Sequence, residues 1–167
     1  MKNTTNDTSP YLNIMKASIA AIFAIALGVL INVFNTDESN TTENAFLSSA
    51  STFRDHVISS HWQWRVQQPT TMIMLIHYDK AGKEINRKPV RMNHNGWPTA
   101  ELTDEGCEKV WTGLVASPLN VDGFKVHARY YSDTDDSEDN YWCRYSLSSG
   151  AYFDYYPASG KTTDVEF

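Results

Sequence analysis

From Ile14 to Phe34 the chain runs for 21 residues with a single charge, Lys16, near the start. No other feature limits the fold so strongly. At about 1.5 Å per residue a helix of this length covers about 30 Å, the thickness of a bilayer's hydrocarbon core. A core helix of a soluble domain would keep a polar face, and this stretch has none. Lys16 stands where its stem reaches the headgroups, Tyr11 falls at interfacial depth, and Gly28 marks a place where a second helix can approach closely. The rival is a cleaved secretory signal, because the apolar centre from Ala17 to Ile31 is short. Asn32, Val33, Phe34 and Asn35 follow it instead of the small residues of a cleavage site, which favours an uncleaved anchor. Lys2, the α-amino group and Lys16 in the first turn of the span carry the charge on its N-terminal side, while Asp37, Glu38 and Glu43 follow it. The N-terminus is therefore expected in the cytoplasm and the remainder across the membrane.

This divides the chain into a cytoplasmic tail at residues 1–13, a transmembrane helix at 14–34, a polar connection at 35–44 and one folded domain at 45–167. The basic residues are scattered as Arg54, Arg65, Lys80, Arg91 and Lys125 in a chain of net charge −6, so nucleic acid is not an expected partner. Cys107 and Cys143 both fall on the far side of the membrane, where an oxidising compartment makes a disulfide the expected state. Closing a loop of that length contributes about 4 kcal/mol in the chain-entropy model. Two buried free thiols are the alternative.

Periodicity sketches the domain. Asn40 with Glu43 reads as a helix cap, and Phe46, Ala50, Phe53, Val57, His61 and Trp64 form one apolar stripe on a helix from about Thr41 to Gln67, stopped by Pro69. Thr71 to Tyr78 is a dense apolar strand with a turn after it, and Glu84 to Met92 a second, confined to an edge by Pro89. Asn93 to Pro98 reads as loop. Cys107, Val110, Trp111, Leu114 and Val115 mark a second helix, capped by Thr103 or Asp104 and ended by Pro118. Alternation then predicts strands over Phe124 to Tyr131, Tyr141 to Leu147 and Ala151 to Tyr156, an antiparallel meander in which Cys143 points with Tyr141 and Tyr145. The expected class is α+β, a long amphipathic helix packed on a small antiparallel sheet.

The segment from Cys143 through Tyr155-Tyr156-Pro157-Ala158-Ser159-Gly160 resembles the last hairpin of type IV pilin-like proteins, in which a disulfide cysteine opens a strand and a Tyr-x-Pro-x-Ser/Thr-Gly turn closes it. Phe53, Arg54 and Trp62, then Gly96-Trp97-Pro98 and Cys107 to Trp111, are similar to the MshF family of mannose-sensitive haemagglutinin (MSHA) pilus biogenesis proteins. The resemblance implies an inner-membrane protein with a periplasmic pilin-like domain, active in pilus assembly with other pilins or assembly proteins as partners. The chain departs from pilins in having no glycine before the span and no acid between Tyr11 and Asn35. Leader processing and the filament-registering glutamate therefore do not carry over, and an accessory or minor pilin-like role is expected.

Little points to catalysis. His56 and His61 do not share a helical face, no zinc-ligand spacing or Gly-x-Ser-x-Gly elbow occurs, and no cofactor is expected. Asp133, Asp135, Asp136 and Asp139 concentrate carboxylates, but without the glycine and distant glutamate of an EF-hand loop they read as a solvated hairpin tip and not as a calcium site. The tryptophans Trp62, Trp64, Trp97, Trp111 and Trp142 read as core packing before sugar stacking. Trp62 and Trp64 cannot both face the core, and Trp142 falls opposite Cys143. Together with Gly28 these three are the candidates for a protein contact surface. An anchored ligand-binding or sensory domain is the alternative reading of the whole.

Overall fold

The computed structural model describes residues 10–69, 71–79, 81–133 and 141–167, without the side chains of 10–13 and 33–40. In chain order the elements are α1 (Pro10–Gln67), β1 (Met72–Tyr78), β2 (Glu84–Arg91), α2 (Asp104–Val115), β3 (Asn120–Val121), β4 (Phe124–Lys125), β5 (His127–Ser132), β6 (Tyr141–Ser146), β7 (Tyr152–Tyr156) and β8 (Lys161–Thr162). The chain forms two compact units, one up to Thr41 and one over Thr42–Phe167.

In the first unit, Ile14–Asn32 is a helical stretch of mean hydropathy 2.4 with none of its residues buried, long and apolar enough to cross a membrane. Among the described residues, and leaving aside its chain neighbours and the backbone of its own helical turns, nothing lies within 4 Å of the position a Cβ would take on Gly28. Residues 35–44 read as a polar connection, with the sequence leaving open whether the helix runs through them or breaks near Asp37; they lie inside α1, and Asn40 is helical and not a cap. Asparagine and threonine are weak helix formers but not breakers, and that stretch holds no proline or glycine to stop propagation.

The second unit is built around Phe53. Its ring lies 5.1 Å from Tyr145, 5.4 Å from Phe153, 5.3 Å from Tyr155 and 6.1 Å from Trp111, so α1, α2, β6 and β7 all meet on one side chain. Phe46, Ala50 and Val57 are buried on the same stripe of α1, as their spacing predicts. α1 stops at Gln67, one residue before Gln68 takes a left-handed φ of 47° and Pro69 follows.

The strands form separate small antiparallel sheets. β1 and β2 make one hairpin, with Ile73, Leu75 and His77 buried on one face and Met72, Met74 and Tyr78 exposed on the other. β5-β6-β7 is the expected meander, extended by β8 as an unexpected fourth strand, with Tyr141, Cys143 and Tyr145 facing the core together. The strand predicted over Phe124 to Tyr131 is divided at Val126: Asp122 and Gly123, with φ of 52° and 84°, turn β3 back on β4 as a two-residue hairpin, and Phe124 is left facing solvent. Left-handed Asp-Gly is the turn that matches the twist of paired strands. α2 starts where expected: the Thr103 hydroxyl accepts from the Gly106 N–H, and the helix ends at Val115 with Ala116 left-handed, two residues before Pro118.

Cys107 on α2 and Cys143 on β6 are bonded, both buried, with Cα atoms 5.6 Å apart. The Tyr145 hydroxyl donates to the Cys107 carbonyl at 2.9 Å, and Asp104 accepts from the Tyr130 N–H at 2.7 Å and from Arg129 at 2.9 Å. The disulfide thus acts with these hydrogen bonds, and with the packing of Trp111 on Tyr145 and Phe153, to hold α2 on the four-stranded sheet.

Candidate functional site

Three of the residues expected to make contacts take different positions. Trp62 is 59 % exposed, with the Arg65 guanidinium 5.4 Å from its ring centre. Ile58 and Val66 flank it one turn away on each side, both exposed, so the outward face of α1 carries an apolar ridge at i, i+4, i+8 spacing. Trp64 instead turns inward. A Cβ on Gly96 would lie 2.2 Å from its Cε3, so the indole occupies the space a side chain at position 96 would need. Trp64 therefore belongs to the packing of the Asn93–Pro98 loop, on the inward stripe its spacing from His61 predicts, and of the two tryptophans it is Trp62 that faces outward.

The same loop is fastened by His61, whose Nδ1 lies 2.8 Å from the Gly96 carbonyl and whose ring stacks on Trp97 at 3.9 Å. Two other histidines act likewise on α2: His56 Nδ1 lies 2.6 Å from the Leu114 carbonyl and His77 Nε2 lies 3.1 Å from that of Gly113. A helix C-terminus leaves its last carbonyls without intrahelical donors, and the two imidazoles reach two of them.

Trp142 lies half-buried on the outer face of the meander. It stacks on Tyr131 of β5 at 5.6 Å and 12°, and on Tyr156 of β7 at 6.0 Å and 26°. Cross-strand register explains the row, since Tyr131 pairs with Trp142. Arg144, the next residue out on that face, makes a two-pronged ion pair with Asp154 at 2.8 Å on each arm and lies over Tyr152 at 4.0 Å. The Asp154 hydrogen bonds hold the Arg144 guanidinium above its ordinary pKa. Tyr152 donates to Glu166. The polar groups here are committed to one another, and the rings turn their faces toward each other. Sugar stacking needs a free ring face, and this row leaves only those at its ends. The row is a packed surface, with the Trp142 indole N–H buried and, among the described residues, without a partner.

Arg144–Asp154 and the rings beside Trp142 were not singled out from the sequence, although Arg144 and Asp154 are spaced as opposite charges across a tight hairpin. A groove was missed as well. It lies between β2, α2 and residues 99–101, has a volume of about 490 Å³, and is lined in part by Lys88, Arg91 and Lys109. Lys83, Arg87, Lys88 and Arg91 crowd one hairpin, which the impression of scattered basic residues had hidden. Of the acidic stretch only Asp133 is described, and it is exposed; Asp135, Asp136 and Asp139 lie outside the described residues. Among the described residues no group of three or more metal-ligating side chains converges.

No family model, curated protein or solved structure matches the chain.

Proposed function

We propose that the chain is a membrane-anchored, non-enzymatic component of type IV (MSHA-type) pilus assembly, a minor pilin-like or accessory biogenesis protein acting through protein–protein contacts. The observation that carries this reading is α1: one helix contains a membrane-length apolar segment and, from Thr42 onward, the buried stripe Phe46, Ala50, Phe53 and Val57 on which a disulfide-tied domain packs. That is the plan the pilin resemblance implies. Residues 14–34 would sit in the inner membrane with the N-terminus cytoplasmic, and the oxidised pair suits a periplasmic domain. Other pilins or assembly proteins would meet the ridge around Trp62 and the row around Trp142.

A strain lacking the chain, and the same strain with it restored, tests this reading. Surface pili are sheared off and the major pilin is measured by immunoblot. Loss or shortening that restoration reverses is the expected result. Unchanged yield and length would remove an assembly role and leave the anchored ligand-binding or sensory domain, a reading favoured by the groove beside β2.

A further inference from the structure

The fold sorts the methionines. Met1 lies outside the described residues, and Met15 belongs to the apolar segment Ile14–Asn32. Met92 is 4 % exposed and bridges to Pro98, whereas Met72 and Met74 are 52 % and 47 % exposed. Alternation along β1 makes the difference: Ile73, Leu75 and His77 turn inward, so Met72 and Met74 stand together on the outer face. β2 does not cover them. The register sets Arg91 opposite Met72 and Pro89 opposite Met74, and both of those residues are exposed too. From α1, Gln63 donates to the Met74 carbonyl at 2.8 Å, which fastens the edge of the strand and leaves the Met74 side chain half-exposed.

Leucine at either position would offer solvent a similar apolar surface. A thioether adds one reaction to it. Its sulfur attacks one oxygen of hydrogen peroxide, the O–O bond breaks and water leaves; the sulfur is oxidised by two electrons to a sulfoxide and the peroxide is reduced. The product carries an acceptor oxygen where the side chain had been apolar. On an outer face that oxygen meets water, so no buried group has to accommodate it. At position 72 it forms beside Arg91, whose guanidinium meets no carboxylate among the described residues and can donate to it. The same oxygen on Met92 would fall in the hydrophobic core.

We propose that Met72 and Met74 form a reversible oxidation site, at which hydrogen peroxide converts the outer face of the β1–β2 hairpin from apolar to polar while the domain stays folded. The site stands apart from the pilus reading and is tested without reference to it.

The full chain in phosphatidylcholine nanodiscs is treated with hydrogen peroxide for increasing times, quenched, cleaved and mapped by mass spectrometry, once folded and once in urea. In the folded chain Met72 and Met74 are expected to gain oxygen at least about tenfold faster than Met92, and in urea the three should react alike. The urea midpoint of the domain should stay where it was when both carry sulfoxide. The two methionine sulfoxide reductases, one for each epimer, should then return both residues to methionine on the folded chain. Met92 reacting as fast as the other two in the folded chain, a rate ratio that persists in urea, a midpoint that falls as sulfoxide accumulates at 72 and 74, or sulfoxides that the reductases leave in place would overturn the proposal.

Discussion

A Cβ on Gly160 would lie 2.2 Å from Cε3 of Trp97, so the indole rests directly on the turn that ends the last β-hairpin. Gly160 also holds a φ of 70°, and Asn93 and Pro98, on either side of Trp97, bond to the same hairpin through the Pro157 carbonyl at 2.9 Å and the Tyr155 hydroxyl at 2.8 Å. Gly160→Ala therefore meets both a disfavoured backbone and a ring that must move. A loss of at least about 2 kcal/mol is expected in urea unfolding followed by tryptophan fluorescence. A loss below about 0.5 kcal/mol would show that Trp97 gives way freely.

Phe53 touches four aromatic rings from three other elements. Phe53→Ala leaves a cavity that none of them can fill without breaking its other contacts, and should cost about 3–5 kcal/mol. Phe53→Leu should cost markedly less, and similar losses for the two would mean that the site is not packed as described.

The Cys107–Cys143 bond closes a separation of 36 residues. The double variant Cys107→Ser/Cys143→Ser is expected to lose about 4 kcal/mol in the chain-entropy account. Adding a reductant should lower the wild-type unfolding midpoint toward that of the variant and leave the variant unmoved.

His77 is buried, its ring 4.7 Å from that of His56. Burial first, then the charges of His56 and Lys88, hold its pKa below the ordinary 6.5, against the pull of the Gly113 carbonyl. The unfolded chain therefore takes up this proton more readily than the folded one. The stability that neutral His77 contributes is full above 6.5 and is lost as pH falls through the lower folded value. Unfolding free energy should be greater at about pH 7.5 than at about pH 5.5, and His77→Gln should shrink the difference. A difference unchanged in the variant would assign it to other groups.

Trp62 and Trp64 separate contact from packing. Trp62→Ala should change stability by less than about 0.5 kcal/mol yet reduce co-purification with pilus components, while Trp64→Ala should destabilise the domain because its ring packs on Gly96. Gly28→Leu, at a position with open space around it, should leave the domain intact and weaken association in the bilayer. If the Trp62 and Gly28 variants co-purify as the wild type does, neither surface is a contact.

The elements that could be read from the sequence are those in which one period decides burial. Phe46 to Val57 and Tyr141 to Tyr145 face the core as their spacing predicts, and Thr103 caps α2. Where period and local chemistry disagreed, local chemistry won: the Asp122-Gly123 turn just ahead of the alternating run folds Phe124 and Lys125 back on β3, so the run parts at Val126 and only its later half joins β6. The absence of proline and glycine across 35–44 outweighed its polarity, which decides solvation but not helix formation. The groove and the Arg144–Asp154 pair needed the strand register to bring residues together, and no single segment carried that information.

The disulfide has a consequence for scission of the chain. Every peptide bond between Cys107 and Cys143, including those of α2 beyond Cys107, of β3, β4 and β5 and of the acidic stretch, lies inside a covalent ring. A protease that cuts once anywhere in that ring opens it without releasing a fragment. The two halves stay joined through sulfur and part only on reduction, so a nicked molecule would keep its N-terminal apolar helix and its last hairpin on one covalent body.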